Sequence, residues 1–383
     1  MRQKVVWFIL GVLVGSLFVV SAYPMNGSVQ YSAPTIQRIP GENYTTYLLY
    51  PKNGLPISAQ FLKETIPKLL EKSAPNAKLH AYAIPELPEG AVISGYGIKV
   101  TKDGRVNILV TATRNGAPIL PDKIRSELLE WGKKAPEFKP DVIPKEKVGV
   151  PKGWEVKIVD SNGNVKVYSG ESSPYWHNFG RVEMSLDYKP YGRLYGMFYV
   201  WGLWNDNDPK EERFMITPYG GSSNSVGVYR VTPGTAIDSY GRYFTNDFKI
   251  IHNWGIDPEL NGRLGPMYPA GIIGGHDTLT LNFGPSPGVS YTIDVDGYKV
   301  YGDALNPKAV WDFDIPYNED ASHHTIAFNG YSEGAVDEGA LHDGEWHTIF
   351  QVELWARFRD RSILGLLYHY DGSVSVNWLL KIG

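Results

Sequence analysis

Two carboxylates are the first candidates for chemistry. Glu183 and Glu353 each lie mid-strand on the polar row of an alternating segment, residues 181–188 and 346–358. Glycoside hydrolysis uses two carboxyl groups about 5–10 Å apart, and this pair would serve if its strands are neighbours. The same residues read equally as surface carboxylates beside Arg181 and Arg357. Aromatic residues are the second candidates. Nine of the eleven Trp and eighteen of the twenty-five Tyr lie after residue 150. Their flat faces stack on sugar rings, and their NH and OH groups bond hydroxyls. Trp355, sharing a row with Gln351, Glu353 and Arg357, is the leading ligand-binding candidate. Trp176 and Trp204, close to loop residues, are further ones. Any single Trp also reads as core filling in a β protein.

Oxygen-rich runs are the third. Asp206, Asp208 and Glu211 stand in a compact acidic loop, and Ca2+ takes about six to eight oxygens from such loops. EF-hand spacing is absent, so the run also reads as a polar turn. Residues 160–164 and the set Asp312, Asp314, Glu319 and Asp320 are similar. His323 and His324 are adjacent, and no HExxH, GxSxG, GxGxxG or GxxxxGK pattern occurs. The absence of Cys excludes disulfides, thiolate metal sites and Cys nucleophiles.

The elements that must position these residues divide into two regions. Residues 44–135 read as a small α+β domain: a helix from an N-cap at Ser58 to about Ser73, kinked at Pro67, and a second helix over 121–134. Strands are expected over 79–84, 91–100 and 105–113. Residues 136–152 are rich in Pro and Lys and read as a stiff linker. Residues 153–383 are expected to be mainly β: one large two-sheet sandwich of jelly-roll kind, with no helix of any length. Asp296-Gly297 and Asp371-Gly372 predict two-residue hairpin turns. Residues 195–204 are apolar on both rows and predict a strand covered on both faces.

Charge divides with the regions. Residues 1–150 hold 19 Lys and Arg against 12 Asp and Glu; residues 151–383 hold 18 against 29. Opposite signs favour docking of the basic region on the acidic one. The acid excess speaks against a nucleic-acid partner. At the N-terminus, Arg2 and Lys4 precede an apolar run over 5–20 and the small residues Ser21 and Ala22, the pattern of a signal peptide spanning 1–22 or of an uncleaved membrane anchor. Residues 23–43 read as a flexible stem. A large exported chain without Cys points to a prokaryotic origin.

Residues Leu341-His342-Asp343-Gly344-Glu345-Trp346-His347-Thr348-Ile349 resemble a strand entry of laminin-G and concanavalin-A-like jelly rolls. Val295-Asp296-Gly297-Tyr298 resembles their hairpin, although the two motifs stand in the opposite order here. The resemblance implies a jelly-roll architecture that binds glycans or surface ligands, in some members with Ca2+. The leading expectation is therefore an extracellular, secreted or anchored surface, envelope or virion protein whose sandwich binds a glycan or a cell-surface component. The alternative is a secreted hydrolase, a glycosidase or acid-type peptidase, with residues 23–150 as propeptide and Glu183 and Glu353 as its carboxylates.

Overall fold

The computed structural model describes residues 29–88, 90–139, 141, 155–159, 165–169, 174–204, 206, 208, 210–217, 229–237, 242–273, 291–295, 298–303, 306–315, 320–342, 344–360 and 368–382. The signal segment, residues 23–28 of the expected stem, the oxygen-rich run 160–164 and the turn residues Asp296 and Gly297 lie outside them. The rest of the stem is no flexible tether, because Thr35–Pro40 forms a strand paired with Thr45–Tyr50. Among the described residues, no helix is long and apolar enough to cross a membrane.

In chain order the elements are β1 (Thr35–Pro40), β2 (Tyr44–Tyr50), α1 (Ala59–Ser73), β3 (Leu79–Glu86), β4 (Ala91–Thr101), β5 (Val106–Arg114) and α2 (Pro121–Lys133). Then follow β6 (Glu155–Val159), β7 (Val165–Ser169), β8 (Tyr175–Tyr188), β9 (Gly192–Trp204), β10 (Glu211–Thr217), β11 (Tyr229–Pro233), the single turn α3 (Gly234–Ile237) and β12 (Tyr243–Asn253). The last strands are β13 (Arg263–Ile273), β14 (Tyr291–Val295), β15 (Tyr298–Asp303), β16 (Lys308–Asp314), β17 (Ile326–Asp337), β18 (His347–Asp360) and β19 (His369–Ile382).

The fold is mainly β, with two large sheets. Sheet A has the order β1-β2-β4-β5-β8-β9-β10-β17-β11, with β13 also on β17. Because β10 and β11 each pair with both β9 and β17, at different positions, they lie end to end between those strands. Sheet B has the order β14-β15-β16-β12-β18-β19-β3. One core joins the sheets: Val182, Met184, Leu186, Leu194 and Phe198 from sheet A, and Phe350, Val352, Leu354, Ala356 and Phe358 from sheet B. Leu62, Ile66 and Leu70, spaced one helical turn apart, bury α1 in the same core. The helix runs through Pro67, and Ser58 holds the N-cap position without a side-chain bond. Pro121, with its fixed φ, starts α2, whose Leu128 and Trp131 bury against Leu48 on the outer side of sheet A.

Residues 44–135 do not stand apart as a small domain. β5 pairs in parallel with β8, and β3 forms the edge of sheet B on β19, so both sheets draw strands from both regions. Residues Ser32–Gly383 form one compact unit. Ladders of backbone hydrogen bonds and a shared core join the regions more strongly than net charge would. Two ion pairs between them run against the expected sense: Glu137 with Arg181 and Asp141 with His177.

Two local expectations are corrected. Asp371-Gly372 is not a turn; both residues lie inside β19, opposite Arg357 and Ala356 of β18. Asp371 instead receives two Arg357 bonds, at 2.9 and 3.0 Å. Gly372 makes room for the Tyr188 ring, which a Cβ would approach at 3.1 Å. In β18 a bulge between Thr348 and Phe350 shifts the alternation by one residue. His347 and Ile349 therefore turn inward ahead of the row from Phe350 to Phe358.

Candidate functional site

The carboxylate pair is not assembled. Glu183 neighbours the inward-facing Val182 and Met184 on sheet A, and Glu353 neighbours the inward-facing Val352 and Leu354 on sheet B. Strand alternation turns both carboxylates outward, onto opposite outer faces of the sandwich. Glu183 is also fully engaged. Its Oε1 accepts from Trp131 Nε1 at 3.2 Å and from Arg181, and its Oε2 accepts from the Tyr195 hydroxyl at 3.2 Å. It is the hub that seats α2 on sheet A. Lys99 completes the seat: its ammonium donates to the carbonyls of Trp131 and Lys134, both at 2.7 Å, and lies 4.0 Å from the Trp131 ring centre. Burial pulls the Lys99 ammonium down to about 8, against the opposing pull of Glu183.

The start of the expected linker is held as a strap across the outer face of sheet A. Asn107 exchanges bonds with the Glu137 backbone at 2.8 and 3.1 Å. Lys139 N donates to Asn178 Oδ1 at 3.2 Å, and the Tyr199 hydroxyl donates to Glu137 at 2.8 Å. Sequence reasoning missed this strap, because the side chains that hold it belong to three separate strands. Beside it, α2 and sheet A enclose a cleft of about 450 Å3 lined by Lys123, Glu127, Asp187, Arg193, Tyr195 and Arg230.

The expected ligand row on sheet B is present and internally paired. Gln351 Nε2 donates to Asn377 at 3.0 Å and to Glu86 at 3.1 Å. Glu353 accepts from the Ser373 hydroxyl at 2.8 Å. Trp355 lies among these groups with two cations near its ring, Arg357 at 5.1 Å and Lys249 at 5.6 Å from the centroid. Lys249 also pairs with Asp312 at 3.0 Å.

The other two Trp candidates part company. Trp176 is 8% exposed and packs with Tyr199, Trp201, Leu203 and Met215, so it is core rather than a platform. Trp204 is 36% exposed. It continues the inward row of β9 beyond the end of the core, opposite Tyr175. His177 stacks on it with centroids 4.5 Å apart and planes at 29°, and Tyr175 tilts against it at 6.3 Å. His177 is held in turn by Asp141 at 3.0 Å. A bulge between Asn178 and Gly180 marks the point where this aromatic end departs from the packed core.

The acidic loop is also rearranged. Asp206 accepts from Asp208 N at 3.4 Å and Asp208 from Lys210 N at 3.0 Å, which are local turn contacts. Glu211 is committed to Arg213 at 2.7 Å and Arg263 at 3.3 Å. Asp206, Asp208 and Glu211 thus do not form one oxygen cage. Glu212, the last acid of the same oxygen-rich run, projects to the opposite side of β10 from Glu211. Burial, then Asp206 and Glu338, push its carboxyl up to about 7.

No protein-family model matches this chain, and no curated protein matches it. The fold and the surface thus define it only as a mainly β, two-sheet protein bearing an exposed aromatic cluster.

Proposed function

We propose that this is an exported, glycan-binding surface protein that receives its ligand on the aromatic cluster of Trp204, His177 and Tyr175. One observation carries the reading: among the described Trp residues, Trp204 alone stands among the exposed large apolar side chains. An indole left in water at the end of a sheet, stacked on a histidine fixed by a carboxylate, offers a sugar an apolar face and polar neighbours together. Trp355 is the weaker platform, because cations already flank its ring. Export rests on the N-terminal charge pattern and apolar run, and a tether to the membrane would follow if that run is kept. The jelly-roll expectation and a role in an envelope or virion are consistent with the same reading. The separation of Glu183 from Glu353 removes the support for a hydrolase built on them.

A glycan array probed with the full-length protein tests this. Binding is expected, with at least tenfold loss in Trp204→Ala and retention in Trp355→Ala. Silence across neutral and acidic glycans, or binding unaffected by Trp204→Ala, overturns the proposal.

A further inference from the structure

We infer that Glu212, Glu338 and His342 form a binding site for a divalent transition-metal ion such as Zn2+. One carboxylate oxygen from each glutamate and one imidazole nitrogen lie within 4.8 Å of one another. The backbone places all three. Glu212 faces Val336 in the ladder between β10 and β17. Glu338 N donates to Lys210 O at 3.1 Å, and Leu341 N closes the following turn on Glu338 O at 3.0 Å. That turn brings His342 back beside Glu338, with Nε2 3.9 Å from its carboxylate.

The surrounding charges sharpen the case by contrast. The neighbouring acids Glu211 and Asp337 share Arg263, and Glu211 takes Arg213 as well. Glu212, next to Glu211 on β10, and Glu338, the first residue past the end of β17, have no Lys or Arg ion pair among the described residues, and Asp206 adds another negative charge. Two half-buried carboxylates facing each other without a cation favour either a proton or a metal. The donor set selects the class of metal. Two carboxylate oxygens and an imidazole suit Zn2+ or its neighbours, whereas Ca2+ takes oxygen ligands. Bond lengths of about 2.0–2.2 Å put tetrahedral donors roughly 3.4 Å apart, so small side-chain rotations close the site.

Zn2+ titration of the full-length, chelator-treated chain by calorimetry tests the assignment at neutral pH, with Co2+ absorption reporting a nitrogen donor. One ion per chain is expected, with at least tenfold weaker binding in His342→Ala and in Glu212→Gln. His342 is 48% exposed, so its removal leaves the fold intact. Glu211→Gln, on the other side of β10, is expected to bind Zn2+ like the parent chain. No saturable binding, or binding unchanged in both site variants, overturns the inference. So does a site that takes Ca2+ equally well with His342 removed.

Discussion

A single imidazole links the core to acid. His252 is fully buried between the sheets, with Nε2 2.8 Å from the Tyr229 hydroxyl and Nδ1 2.8 Å from Ser332 Oγ. Trp254 Nε1 donates to the same Ser332 oxygen at 3.0 Å. Burial holds His252 down at about 3, against 6.5 for a free histidine. Between those values the unfolded chain binds a proton that the native chain refuses, so stability falls as pH drops from about 6.5 towards 3. Replacing His252 by Gln removes that titration while keeping a polar group in place. At pH 7 the variant is expected to lose about 1–3 kcal/mol, the cost of imperfectly satisfied buried partners. Between pH 7 and pH 4 it should lose less additional stability than the parent. Chemical denaturation at the two pH values checks this, and equal losses for both proteins would refute it. Sequence inspection passed over His252, because its partners come from residues 229, 254 and 332 and only the packing of two sheets gathers them.

At the scale of elements, the junction of β5 and β8 depends on one small residue. A Cβ at Gly180 would lie 2.0 Å from the Val106 carbonyl oxygen, so the parallel pairing tolerates only glycine there. Gly180→Ala is expected to cost more than about 2 kcal/mol. Gly339→Ala, where a Cβ meets nothing within 4 Å, should stay within about 0.5 kcal/mol. Thermal melting of the pair decides it, and a harmless Gly180→Ala would mean the junction is looser than described. Elements of this kind were partly legible in advance. Alternation sorted the rows of β8 correctly, and helical spacing found α1 and α2. Asp371-Gly372 misled because the dipeptide favoured in a turn here meets two other needs, an Arg357 pair and space for Tyr188. The candidate site followed the same division. The polar row around Trp355 could be read from spacing, whereas the exposure of Trp204 and the burial of Trp176 depend on where the second sheet ends.

At the scale of the molecule, the two regions that composition separates are woven into one body. Charge and the run of prolines mark a boundary within residues 136–152, yet hydrogen-bond ladders cross it twice, at β5 with β8 and at β3 with β19. Pairing between strands so distant in sequence leaves no local trace, which is why the boundary looked like a domain edge. The consequence expected is that neither region folds on its own. Expressed alone, residues 153–383 would present β8 and β19 with bare edges and uncover core residues that Ile84, Ile98, Ile108 and Val110 now bury. That fragment is expected to aggregate or to bind a hydrophobic dye without a cooperative melt, while the full-length chain unfolds in one transition. A soluble fragment with its own sharp transition would restore the two-domain view. It would also revive the idea of a removable N-terminal propeptide, since a detachable segment must leave behind a core that closes without it.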